Sequence, residues 1–290
     1  MNVQSMNRRD FSKSLLAAGA ALTLPSAFGT GCGAPAIKTE NLVGIQLYTL
    51  RELANEDFPG TIKKVAEMGY DTIEFAGFGE LSALDVKKMM DDLGLLTAGS
   101  HEGFEGLDTK LDARIAFNLG IKNPNMVCPS MPGKFRESGV DGFKLFAEKL
   151  NVIGEKIKQA GMQFYYHNHA FEFEKVDDRC LFSYLLQGTD PNLVKLEVDL
   201  YWVKKGGEDP IEFIKKHADR SLMLHMKDMT AGEEPTFAPV GTGILDFPGI
   251  VKTAREIGVK WFVVEQDRSI GNILEEVEIS LKNMKKLLSA

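Results

Sequence analysis

From residue 42 onward the chain repeats one pattern: an amphipathic stretch of helical period, a glycine, then a short apolar run. It is plainest at 66–77 (AEMGYDTIEFAG), 91–101 (DDLGLLTAGSH), 117–130 (FNLGIKNPNMVCPS) and 158–169 (KQAGMQFYYHNH), and it returns at 186–199, 217–228 and 255–267. The spacing is roughly thirty residues, the length of a strand–helix–strand unit. Glycine just past a helix is the expected stop, because it enters the left-handed region without a Cβ clash. Strands alternating with helices imply parallel pairing. With an opening strand at 43–48 the run has eight strands, and a helix at 273–288 closes it. A doubly wound sheet would follow its first strand with a glycine-rich phosphate loop, and 46–51 (QLYTLR) is not one. The pattern predicts a single (β/α)8 barrel, a TIM barrel, over residues 40–290.

Side-chain parity then orients each strand. Successive residues face opposite sides, and the outer face of a barrel strand must be apolar because helices cover it. At 195–200 (KLEVDL) this turns Lys195, Glu197 and Asp199 inward and the aliphatics outward. At 222–227, Leu222, Leu224 and Met226 face the helices while His225 and Lys227 face inward. The same reading puts Gln46, Glu74, His101 and Glu265 inside, and His167 and His169 on one face. These residues fall at strand C-termini, where barrel enzymes keep their active sites. His167, Asp199, His225 and Glu265 lie on the last four strands, and imidazole with carboxylate suits one divalent ion such as Mn²⁺, Co²⁺, Zn²⁺ or Fe²⁺.

Charge and cysteine content narrow the partners. The formal net charge of −7 repels phosphate backbones, which argues against nucleic acid. Cys32, Cys128 and Cys180 have neither paired nor CxxC spacing, so no disulfide framework or cysteine zinc site is expected. Residues 1–32 differ from the rest. Arg8, Arg9 and Lys13 precede an apolar run at 14–24 and small residues beyond it, the layout of an export signal. The paired arginines before Phe11 resemble a twin-arginine signal, which implies a periplasmic or otherwise exported protein. The run is too short for a membrane span, and Cys32 is a candidate for lipid attachment as a lipoprotein cysteine. A homo-oligomer is compatible with the sequence.

The chain resembles the sugar phosphate isomerase/epimerase group of xylose isomerase-like barrels. The likeness rests on GIQLY (44–48), GYDTIE (69–74), YHNHAFEF (166–173), DLYW (199–202), HMKD (225–228), VGTG (240–243) with Asp246 and Phe247, and the strand ending at Glu265. It implies metal ligands at Asp199, His225 and Glu265. The fourth position departs from the group: His167 stands where relatives carry glutamate, with Glu172 as the alternative ligand. The resemblance further implies a small-molecule substrate, a sugar or keto-sugar, and abstraction of a proton next to a carbonyl. Candidate bases are Glu172, His169 and Glu74, and Lys227 or His101 would donate to the oxygen that becomes negative. Gln46, Glu74, His101 and Trp202 are the candidate substrate contacts, with Phe171, Phe104 and Tyr48 joining Trp202 in an apolar platform. The expected reaction is isomerisation or epimerisation. The alternatives are β-elimination by a lyase or dehydratase, for example from 3-keto-glycosides, and a non-catalytic carbohydrate-binding barrel.

Overall fold

The computed structural model describes residues 42–269 and 271–290. The proposed leader at 1–32, including Cys32, lies outside the described residues. Eight parallel strands close into a barrel: β1 (Val43–Gln46), β2 (Thr72–Phe75), β3 (Leu96–His101), β4 (Asn125–Cys128), β5 (Gln163–His167), β6 (Val194–Asp199), β7 (Ser221–Met226) and β8 (Trp261–Val264). Each strand pairs with the next in sequence, and β8 closes on β1 through Val43–Phe262 and Ile45–Val264. This is the (β/α)8 barrel expected from the pattern. Two short hairpins follow β5 and β7. No described helix is long and apolar enough to cross a membrane.

The local chemistry accounts for most boundaries. Helix Phe58–Met68 starts on an Asp57 cap and ends at Gly69, φ 93°. Helix Phe247–Ile257 starts on Asp246 and ends at Gly258, φ 80°. Two glycine stops work differently. Gly120 is still helical, and Lys122 takes the positive φ instead. Gly188 ends its helix in contact with Ala147, where an added Cβ would come within 2.7 Å. Strand β1 is shorter than 43–48, because the Gln46 side chain accepts from the Tyr48 N–H at 3.0 Å and turns Leu47–Leu50 into a 3-10 helix.

The apolar interior has two layers. Alternate strand residues such as Leu196, Val198, Leu224, Met226, Phe262 and Val264 pack under the helices. Ala98, Val127, Tyr165, Met223 and Val263 fill the barrel itself. Tyr165, Met223 and Val263 stand two residues before His167, His225 and Glu265, so the interior face turns from apolar to polar toward the C-terminal mouth. Leu222 departs from the predicted parity: it packs against the barrel interior, beside the point where the β6–β7 register shifts.

Candidate active site

A cavity of about 630 Å³ opens at the C-terminal mouth. His101, His167, Lys227 and Glu265 reach it from strand ends, and His169, Tyr201, Trp202 and Phe237 give it aromatic walls. Asp199 and His225 lie directly behind, fully buried. The predicted ligand set comes together: His167, Asp199, His225 and Glu265 each offer a ligand atom, all within 4.8 Å of one another. His167 Nε2 is 3.4 Å from Asp199 and 4.0 Å from Glu265, while His225 Nδ1 is 2.8 Å from Glu265 and 3.9 Å from Asp199.

The donor chemistry fits a divalent cation. His167 Nδ1 donates to the Pro129 carbonyl at 3.0 Å, which leaves the Nε2 lone pair of the neutral ring aimed at two carboxylates. Such an arrangement is repulsive unless an extra proton or a metal ion stands between them, and a fixed N–H partner on the far nitrogen is how ligating histidines are usually oriented.

Charge at the mouth is tightly organised. Lys227 is buried, yet Asp267 at 2.7 Å, Glu265 at 3.0 Å and Asp199 at 3.2 Å hold it as an ammonium. Burial works against that charge, and the three carboxylates overcome it, raising the Lys227 pKa. Burial would raise Glu265, but Lys227 and His225 hold it well below the usual carboxylate range. His169 goes the other way. Burial, then the neighbouring His167, pushes it down to about 3, and its Nδ1 has no hydrogen-bond partner. The Trp202 ring lies 5.5 Å from the His169 ring and 5.2 Å from Lys227 Nζ, so it sits beside both.

Several predicted residues lie away from the cavity. Glu172 does not line the cavity. Its fully buried carboxylate accepts from the Tyr166 hydroxyl at 2.6 Å and the His169 N–H at 2.9 Å, on the side where Tyr166 packs under the helices. Its carboxylate thus points away from the cavity and fixes the turn that carries His169. Glu172→Gln is therefore expected to lower kcat by less than about tenfold, against the 10²–10⁴ of a general base. A steady-state assay with bound metal measured in parallel checks this. Glu74 and Gln46 are also fully buried beneath the cavity, where Gln46 Nε2 donates to Glu74 at 2.9 Å and His225 Nε2 lies 2.7 Å from the same oxygen. Neither touches substrate space. Phe104 joins Phe135 and Phe146 in an aromatic cluster away from the mouth, and Phe171 backs the His169 ring, with Arg136 over its own face. Of the predicted contacts, His101, Trp202 and Tyr48 line the cavity.

Two residues were missed. Glu197 is fully buried, with an oxygen 2.7 Å from His101 Nε2 and 3.3 Å from His225 Nε2; parity had turned it inward, but its role was not drawn. Asp267 shares parity with Glu265 two residues earlier and clamps Lys227. The VGTG segment is explained by Asp228, whose buried carboxylate accepts from the N–H groups of Gly241, Gly243 and Leu245. A Cβ on Gly243 would meet the Met229 carbonyl at 2.2 Å. Asp228→Ala strands these donors and should cost about 3 kcal/mol of stability, read by urea unfolding.

A closed parallel barrel with ionisable residues gathered at its C-terminal mouth has the layout of a TIM-barrel enzyme. The chain belongs to the xylose isomerase-like TIM barrel family, whose model matches residues 62–287. It is 30% identical over 163 residues to an inosose dehydratase from Clostridium beijerinckii, covering 50% of this chain and 54% of that protein. An inosose dehydratase from Clostridium botulinum is 30% identical over 173 residues, with 52% and 56% covered. The chain spans about half the length of the curated relatives it matches. A sugar phosphate isomerase/epimerase structure from Parabacteroides distasonis superposes with a TM-score of 0.73 at 28% identity, covering 87% of this chain and 96% of that one.

Proposed function

We propose that this protein is a metal-dependent enzyme that removes the proton next to the carbonyl of a keto-sugar or keto-polyol and then expels a β-hydroxyl as water. The carrying observation is the cavity's pairing of one imidazole with an unpartnered nitrogen, His169, and one fixed ammonium, Lys227, beside the same Trp202 ring. A divalent ion held by His167, Asp199, His225 and Glu265 supplies, when bound, the Lewis acidity that stabilises negative charge on the substrate's carbonyl oxygen.

His169, held neutral by burial and His167, takes the proton as negative charge develops on the substrate beside it, which offsets the burial that disfavours its imidazolium, and returns it to the departing hydroxyl. Lys227, kept charged by its three carboxylates, donates a hydrogen bond to oxygen that gains charge and is too firmly protonated to act as a base. Trp202 offers a flat apolar face to a ring. An epimerase needs proton transfer on both faces of the carbon. With Glu172 withdrawn from the cavity, the two-base layout loses its carboxylate, and His101 is tied through Nε2 to Glu197. Elimination with a single base fits better, and the inosose dehydratase relatives support it.

Isomerisation or epimerisation is the second reading, favoured by the near full-length likeness to the Parabacteroides protein. The leader-like segment adds an exported setting and an unphosphorylated substrate to the proposal. A panel of keto-polyols and 3-keto-glycosides, incubated with Mn²⁺ and followed by absorbance and product analysis, tests it. Conjugated ketones are expected, formed with loss of water from the keto-polyols and of the aglycone alcohol from the 3-keto-glycosides; stereoisomers alone would support the second reading, and unchanged substrates throughout would remove both.

A further inference from the structure

Beneath the mouth lies a second convergence of donors. Glu74, His101, Glu197 and His225 each offer a ligand atom within 4.8 Å of the others. Both glutamates are fully buried. The two carboxylates repel each other, and the cations paired with them among the described residues are histidines: His101 Nε2 lies 2.7 Å from Glu197 and 3.6 Å from Glu74 Oε1, and His225 Nε2 lies 2.7 Å from Glu74 and 3.3 Å from Glu197.

Protons on the two rings would satisfy one oxygen of each glutamate. They leave Oε1 of Glu74 and Oε1 of Glu197 buried with no partner, and a buried charged oxygen left unpaired is costly. Gly99 leaves room for Glu74 Oε1, which an added Cβ would meet at 2.9 Å. The barrel therefore keeps open a pocket for two bare carboxylate oxygens between two imidazoles, and a divalent cation answers both the orphaned oxygens and the excess negative charge.

We propose that Glu74, His101, Glu197 and His225 form a second, interior site for a divalent transition-metal ion. His225 belongs to both sets, with Nδ1 turned to Asp199 and Glu265 and Nε2 turned to Glu74 and Glu197. His225 would thus offer one ring nitrogen to each site. The carboxylate and imidazole donors suit Zn²⁺, Mn²⁺ or Fe²⁺.

The test is metal stoichiometry after equilibrium dialysis of the full chain against Mn²⁺ alone and Zn²⁺ alone, with folding followed by circular dichroism. Wild type is expected to hold about two ions per chain, and Glu197→Gln and Glu74→Gln about one each. Asp199→Asn, which keeps the cap on the Trp202 N–H, is also expected to hold about one. Anomalous scattering should then place the remaining ion at the mouth in the glutamate variants and inside the barrel in Asp199→Asn. One ion in wild type, lost in Asp199→Asn and kept in Glu197→Gln, overturns the interior site and leaves the mouth site standing. One ion with the opposite dependence supports the interior site and removes the mouth site. No ion in wild type overturns both.

Discussion

Glu265→Gln is expected to lose the metal ion at the mouth and to lower kcat by at least about 10³. The carboxylate serves His225 Nδ1 at 2.8 Å and Lys227 Nζ at 3.0 Å with one oxygen. An amide at this position keeps the shape, removes the charge and offers donors where two donors already point. Lys227 retains Asp199 and Asp267, so the fold should persist while the ion's most exposed anionic ligand is gone. Elemental analysis of the purified variant beside its turnover decides the matter: mouth metal retained at the wild-type level takes Glu265 out of the ligand set.

His169→Ala should lower kcat by about 10²–10⁴ with metal content unchanged. The two variants separate two roles, since His169 makes no contact with the predicted ligands beyond its edge-on packing against His167, ring centres 5.0 Å apart. Its ring is held between Phe171 and Trp202, and its backbone N–H is fixed by Glu172. Substitution leaves that turn in place and removes only the imidazole. A loss of less than tenfold would remove His169 from the proton-transfer role.

The barrel was legible because its signals are local and repeated: a glycine stop, an apolar run, and a polar residue near the C-terminal end of every strand but β4. The convergence of side chains at the mouth was legible for a related reason. Parity along a strand is rigid, so the inward face of β6, β7 and β8 could be followed from sequence to Asp199, His225 and Glu265. Glu172 shows where this reasoning stops. It lies past the end of β5 in a turn, where alternation no longer holds, and its carboxylate swings back to Tyr166 on the outer side of the strand. Phe104 misleads likewise, because an aromatic just beyond a strand can serve the cavity or the helix layer, and packing against Phe135 and Phe146 decides for the latter. Glu74 and Glu197 were turned inward correctly, but parity gives direction and not depth. Only the closed barrel reveals that they lie below the cavity and meet each other through His101 and His225.

Solvent deuterium incorporation tests the central claim most directly. A keto-polyol incubated in D₂O with Mn²⁺-loaded protein should exchange the hydrogen on the carbon next to its carbonyl, or carry deuterium in the product. A chelator should abolish the exchange and added Mn²⁺ should restore it. Exchange that continues undiminished after chelation, or none with metal bound on any ketone of the panel, would contradict metal-assisted proton abstraction at the barrel mouth.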